Sequence, residues 1–416
     1  MPNRNNKYQQ NCRICGNEEF IPIIDLGFSP PADAFLHGED LKKQEIFYPT
    51  ELRICSNCSL VQLNYVVPPE ILFSSDYTFD MSITKSGVVH FESIGPHVKN
   101  KFNFKKGKLT VDIGSNTGVL LNGFKKIGFK VLGVEPAKNM YLKALDNGID
   151  TINDFFNNSS AEKILKLKGR PYIITATNVF AHINDLQSFM ININSILDDD
   201  GIFIIEAPYL LDLLEHLYYD TIYHEHLSYL SIKPLKVLCN KFDFEIFDIE
   251  KINYHGGSAR YYISRKGDYP ISRNLKEATL LENKIGLYEN RRLEKFRDSI
   301  IKHRINLYKF LLNLKNQGNR IAAVSAPAKG MALLNYCHID NDLIDFVTEI
   351  SPFKIGKFTP GTHIPVVSDK KLLDEMPEYA IILAWNFAQP IMKKLENYEK
   401  NGGKFIIPFP KPYIVK

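Results

Sequence analysis

The sequence contains no apolar run long enough to cross a bilayer. Its most apolar stretches, such as GIFIIEAPYLL (Gly201–Leu211), stop well short of the ~20 residues a spanning helix needs. The segment MPNRNNKYQQNC at its start has none of the apolar centre of a signal peptide. No block of clustered Lys or Arg is present, and a net charge of +4 over 416 residues is too dilute to track a phosphate backbone. Short-period repeats and low-complexity tails are absent too. These absences argue against a membrane protein and a nucleic-acid binder, and the expectation is a cytoplasmic chain with neither partner. What is present is ordinary for a folded protein, with 44% apolar and 24% charged residues. The length suggests two to four domains.

Cysteine is scarce, and four of the six fall into two pairs, CRIC (Cys12, Cys15) and CSNC (Cys55, Cys58), while Cys239 and Cys337 stand alone. Each pair sets two thiolates on one knuckle, and two knuckles provide the four sulfur ligands that structural Zn2+ prefers. Four protein ligands leave no open position, so such a metal staples a small module and does no chemistry. The flanking stretches IPIIDLGFSPPADAF and IFYPTELRI lack basic clusters and read as packing and turn sequence.

Beyond this module the pattern alternates strand and helix. KLTVDIGSNTGVLLNGFKKIGFKVLGVEPAKNM (Lys108–Met140) reads as strand, glycine turn, amphipathic helix and strand, a unit that delivers a ligand to a strand end. Asp112 closes the first strand, Gly114 and Gly118 allow close backbone approach, and Glu135 closes the second strand, where a carboxylate can accept both ribose hydroxyls. The Gly-x-Gly-x-x-Gly turn of nicotinamide enzymes is missing. VDIGSNTG followed by VLGVEP is instead similar to the S-adenosylmethionine site of class I methyltransferases, with Ser115, Asn116, Pro136 and Asp154 as further expected cofactor contacts. Thr117 stands where an acidic residue is expected beside the asparagine. GRPYIITATNVFAHI reads as a fourth strand with its loop, and LDDDGIFIIEAP as a strand after an acidic turn.

YDTIYHEHLSYLS (Tyr219–Ser231) concentrates histidine, glutamate and tyrosine. The histidines of YHEH are two apart, which cannot chelate from one helix face, and His-Glu-x-x-His is absent. A proton-transfer cluster is the better reading: an imidazole, a carboxylate to orient it and a phenol to donate. Near the other end, GNRIAAVSAPAKGMALLNYC repeats the strand, turn and helix pattern, and Lys329 with Gly330 at the helix start would attract a diphosphate. YHGGSARYYISR (Tyr254–Arg265) carries adjacent glycines and is expected near the cleft. The charged stretch LENKIGLYENRRLEKFRDSIIKHRINLYKFLLNLKNQ reads as one long amphipathic connector with a solvated face.

Taken in order, CRICGN, CSNCSLVQL, SSDYTF, VDIGSNTGVLL, TNVFAHI, YHEHLSYLS, YHGGSARYY, APAKGMALLNY and PGTHIPV resemble the sugar 3-C-methyltransferases of branched deoxysugar pathways. The resemblance runs from Cys12 to about the end of the chain. It implies an α/β chain with a zinc-binding module (1–75), a class I methyltransferase core (76–268), a helical connector (269–315) and a C-terminal Rossmann-like domain (316–416). The implied cofactors are S-adenosylmethionine and structural Zn2+, and the implied substrate is a nucleotide-linked 4-keto-6-deoxy sugar methylated at C3. By carry-over His226 is the base, Tyr223 its companion and Glu225 a third member, with His182, Asn178 and Tyr77 lining the same cavity. His224, His255 and Gly256 join Lys329 and Gly330 as expected substrate contacts. The competing readings are O- or N-methyl transfer on a related sugar nucleotide, or an idle sugar-nucleotide-binding protein. The sequence leaves the oligomeric state open, and a monomer of three packed domains would be unsurprising.

Overall fold

The computed structural model describes residues 8–73, 77, 79–254 and 256–415, which build three sheets. The first is antiparallel. Its strands Phe20–Ser29, Tyr48–Cys55 and Val61–Leu63 are consecutive in the chain, and Tyr48–Cys55 buries alternate residues, as a half-covered strand should. Its fourth strand, Ser228–Tyr229, comes from the histidine-rich stretch and pairs with Val61–Leu63.

The second sheet has seven strands in the order Phe244–Ile252, Ser258–Arg265, Ile202–Pro208, Ile173–Thr177, Leu109–Ile113, Lys130–Val134, Thr151–Ile152. The last five are parallel, and the first two close one edge as an antiparallel pair. Leu109–Ile113 and Ile173–Thr177 are buried at every residue because both faces are covered. On one face lie helices Lys85–Phe102 and Val119–Lys126, and on the other Asn158–Lys168 and Leu186–Ile196. Helices 85–102 and 119–126 cross at Gly95 and Gly123, where an added Cβ would sit 2.8 Å from the Phe124 nitrogen and 2.2 Å from the Glu92 oxygen. Only glycine permits that crossing.

The third sheet runs Val366–Ser368, Val347–Glu349, Ile321–Val324, Tyr379–Ile382, Lys404–Ile407, Tyr413–Ile414, parallel except for its final pair. The connector is two helices, Arg273–Lys284 and Asn290–Asn316, where the sequence suggested one. The break falls at Gly286, whose φ of +62° no helix accommodates. Helix 290–316 buries Leu293, Phe296, Ile300, His303, Leu307, Leu311 and Leu314, a stripe of period three to four, and turns its charges outward. Among the described residues no helix is long and apolar enough to cross a membrane.

Candidate active site

The two cysteine knuckles converge. Sγ of Cys12 lies 3.4 Å from that of Cys58, Sγ of Cys15 lies 3.5 Å from that of Cys55, and all four sulfurs fall within 4.8 Å of one another. A tetrahedral zinc with Zn–S of ~2.3 Å requires S···S of roughly 3.8 Å, so the four residues fit Zn2+ with no position left over. The first knuckle also reaches the second sheet's loops. Arg13 donates to the Leu63 carbonyl at 2.9 Å and to Asn184 Oδ1 at 3.0 Å, and Gln187 donates to the carbonyls of Arg13 and Ile14.

A cavity of about 210 Å³ opens at the carboxyl ends of strands 109–113, 130–134 and 173–177. Gly114, Asn116, Glu135, Pro136, Phe155 and Phe156 line it on the side where the glycine turn meets the second strand. Gly114 has φ +68°, and a Cβ there would lie 2.3 Å from Val179 Cγ2. Glu135 is nearly buried and accepts the backbone N–H of Asn116 at 2.7 Å and that of Ala137 at 2.8 Å, one on each oxygen. Each oxygen keeps a lone pair for a vicinal diol. Asn116 donates to the Phe79 carbonyl and accepts the Met81 N–H, which fastens residues 79–81 over the cavity. This donor set, with its glycine clearance and its apolar walls, fits the nucleoside half of S-adenosylmethionine.

On the opposite wall stand Tyr77, Asn178, His182 and Glu225. Asn178 adopts φ +57°, its N–H held by the Glu206 carbonyl, and its Nδ2 is buried without a partner among the described residues. The His182 ring lies between Phe73 and His226, with centroids at 5.7 and 5.2 Å, and burial beside His226 pushes its pKa down to about 3. His226 Nδ1 lies 2.7 Å from the Thr221 carbonyl, which can only accept, so Nδ1 carries the hydrogen. Nε2 therefore offers a lone pair, and the Tyr223 hydroxyl donates to it at 3.0 Å. Burial pushes the His226 pKa down to about 4, so the ring is neutral near pH 7. Glu225 is pushed up to about 8, first by burial and then by the Asp33 carboxylate, against the pull of Lys354. It faces the cavity as a largely neutral acid.

Several expected site residues stand elsewhere. Asp112 is buried beneath the glycine turn, where it accepts the Thr175 hydroxyl at 2.6 Å and burial pushes it up to about 7, so it props the turn and does not line the cavity. Gly118 (φ +78°) begins helix 119–126 against Ile149, which makes its small size a matter of packing. Ser115 and Thr117 are fully buried beneath the turn, so the missing charge at Thr117 removes nothing from the cavity wall. Asp154 turns to Asn157 and Lys163, while its neighbours Phe155 and Phe156 line the wall. His224 points into the first sheet, with Nε2 3.0 Å from Thr50 Oγ1 and 3.1 Å from the Tyr48 carbonyl. Gly330 packs on Leu383, and Gly256 (φ +92°) faces the Trp385 ring. Lys329 bonds Asn386 and lies 4.4 Å over Trp385, which is hydrogen-bonded to Asp220. His255 lies outside the described residues.

No local pattern points to Asp33 and Lys354, which form an ion pair at 2.8 Å and set the field at Glu225. They come from SPPADAF and SPFKIGKF, more than 300 residues apart, and only the folded chain joins them. Thr221, whose carbonyl fixes the His226 tautomer, carries no local signal either.

Three family models match in sequence order: "Putative zinc binding domain" over residues 12–73, "Methyltransferase domain" over 96–249 and "C-methyltransferase C-terminal domain" over 253–410. Over 405 residues the chain is 31% identical to the C-methyltransferase NovU of Streptomyces niveus, which spans 97% of this chain and 96% of that protein. Among solved structures, the magnesium protoporphyrin IX methyltransferase ChlM of Synechocystis PCC 6803 with bound SAH matches at 14% identity and TM-score 0.35, over 45% of this chain and 90% of that one. The PH0226 protein of Pyrococcus horikoshii OT3 matches at 17% identity and TM-score 0.36, over 45% and 95%.

Proposed function

This chain belongs to the C-methyltransferase family, and we propose that it methylates C3 of a nucleotide-diphospho-4-keto-6-deoxy sugar in the cytoplasm, through an enolate made by its own base. The enzyme depends on S-adenosylmethionine and carries a structural zinc module. The boundaries expected at residues 75, 268 and 315 then separate metal staple, methyl-transfer core, connector and the unit built on the third sheet.

Carbon is a poor nucleophile until a proton is removed, and a ketone at C4 makes the C3 hydrogen acidic enough to remove. In this reading the Tyr223 hydroxyl oxygen takes that proton as its own hydrogen passes to His226 Nε2 along their 3.0 Å hydrogen bond, and the C–H electron pair becomes a C3–C4 enolate with its charge on O4. The neutral Glu225 carboxyl and the Asn178 amide, which has no partner among the described residues, are donors suited to that oxygen, a task in which preorganised donors contribute most when water is excluded. S-adenosylmethionine, when bound, supplies the electrophilic methyl that C3 takes up. Tyr77 and His182 complete the wall and keep water away.

The observation that carries the reading is the state of His226: a neutral ring with Nδ1 committed to a carbonyl and Nε2 accepting the hydrogen of a phenol, a pair set up for proton relay. O-methylation involves no carbon acid and would leave C3 protonated. The test is proton NMR of the sugar in D2O, using a panel of nucleotide-linked 4-keto-6-deoxy sugars with and without S-adenosylmethionine. Loss of the C3 proton signal, followed by a new methyl on that carbon and abolished by His226→Asn, is the expected result. A methyl on oxygen with C3 still protonated overturns it, as does a protein that binds both ligands and transfers nothing.

A further inference from the structure

The stretch that carries His226 is held from outside its own sheet. Tyr219 is buried, and its hydroxyl lies 2.8 Å from His303 Nδ1 on the long connector helix. His303 Nε2 is committed to the Pro408 carbonyl at 2.8 Å, so Nδ1 is the acceptor and Tyr219 the donor. The next residue, Asp220, is 1% exposed and accepts the Trp385 indole N–H on Oδ2 at 2.7 Å. Its Oδ1 is buried with no side-chain partner among the described residues. The next is Thr221, whose carbonyl receives the His226 Nδ1 hydrogen and, at 3.3 Å, the Tyr229 hydroxyl.

A carboxylate buried on one side-chain hydrogen bond, supported otherwise by backbone N–H groups of its own turn and the charge of Lys329, still loses hydration that an apolar residue would not. Tyr219 fills an aromatic nest of Tyr336, Phe409 and His303, so packing alone accounts for it. Packing does not account for Asp220. Its one side-chain partner belongs to the third sheet's face, and the lysine nearest to it, Lys329, lies over the same indole. We propose that Asp220 and Trp385 are positioning residues for His226: the indole N–H fixes Asp220, and with it the adjoining Thr221 carbonyl that decides which imidazole nitrogen carries the hydrogen. The inference rests on His226 being the base. It makes the third sheet a participant in the geometry of the methyl-transfer site, because a shift at Trp385 is felt one peptide away from the carbonyl that orients the ring.

The experiment uses the full-length, zinc-loaded protein and two kinds of readout. Imidazole nitrogen NMR, with the His226 signals assigned by their loss in His226→Asn, is expected to show a single Nδ1–H tautomer in the wild type and a mixture in Trp385→Phe. The kcat of Trp385→Phe should fall about 10-fold with KM for both substrates within about 2-fold. Asp220→Asn keeps an acceptor for the indole and should retain most of the rate, while Asp220→Ala should behave like Trp385→Phe and serves if that variant folds poorly. A Trp385→Phe enzyme with a lowered melting temperature, a single tautomer and full kcat overturns the inference and leaves a purely structural contact. If His226→Asn retains C3 exchange, the assignment of the base fails instead, and the tautomer measurement still reports separately on Asp220 and Trp385.

Discussion

Removing the zinc should stop catalysis while sparing the cofactor. The reasoning starts from the Val61–Leu63 strand, which the cysteine knuckle at Cys55 and Cys58 leads into and which pairs with Ser228–Tyr229 just past His226. Four contacts join the zinc module to this stretch: the strand pairing itself, the Leu63 N–H on the Leu227 carbonyl at 3.0 Å, and His224 on both the Tyr48 carbonyl and Thr50. At ~1 kcal/mol net for each, the anchoring amounts to about 4 kcal/mol. If zinc loss frees the strand, that loss of positioning corresponds to roughly a 10²- to 10³-fold fall in kcat at ~1.4 kcal/mol per factor of ten. Glu135, Asn116 and Gly114 sit on the second sheet, whose two faces carry their own buried helices, so the dissociation constant for S-adenosylmethionine should rise less than ~10-fold. The assay pairs metal content by mass spectrometry with methyl transfer and calorimetric titration of S-adenosylmethionine, before and after chelation and again after Zn2+ is restored. A zinc-free protein with undiminished kcat refutes the argument, and so does one that loses cofactor binding and catalysis in equal measure.

Gly114→Ala should weaken S-adenosylmethionine binding by at least 10-fold by calorimetry, since the left-handed backbone alone costs ~1–2 kcal/mol and the new methyl meets Val179 on the cavity wall. Methyl transfer should hold its rate from pH 7.5 down to pH 6, because His226, with its pKa near 4, stays deprotonated there. A histidine with an ordinary pKa of ~6.5 would lose about three-quarters of its neutral form at pH 6, and such a loss in the rate profile would contradict the buried-imidazole reading. On the alkaline side the rate should fall through about pH 8 as Glu225 gives up the proton it donates, and Glu225→Gln should flatten that limb. Arg260→Met should lower stability by roughly 3 kcal/mol in urea unfolding, because it strips a 2.6 Å partner from the buried Glu206 carboxylate and leaves only His90. A midpoint that barely moves would show that His90 alone suffices.

The fold was legible wherever local pattern carries it. Two C-x2-C pairs announced the metal module, and the run from VDIG to VEP placed two strand ends and a glycine turn that the structure reproduces. Local pattern said less about direction. Gly114 and Gly118 look alike in the sequence, yet one clears a cavity and the other packs on Ile149, because only the tertiary neighbour decides what a missing Cβ is for. YHEH is the sharper case. His224 and His226 are two residues apart on a turn whose backbone sends one ring into the first sheet and the other to Tyr223. Nothing in four letters distinguishes them. Asp33 and Lys354 were illegible for another reason: each is an unremarkable charge until the chain ends fold together around Glu225.

The shared strand also governs how the molecule can be made and rearranged. A ribosome releases both cysteine knuckles long before it reaches Ser228, so the nascent metal module holds one side of Val61–Leu63 without its partner. Three residues is a short edge, and its brevity limits mispairing with other chains in that interval. For protein engineers the unit of exchange is then discontinuous. A chimera that swaps residues 8–73 between relatives must carry the stretch from His224 to Tyr229 along with it, or the transplanted module will arrive with an unfinished edge and His226 without its floor.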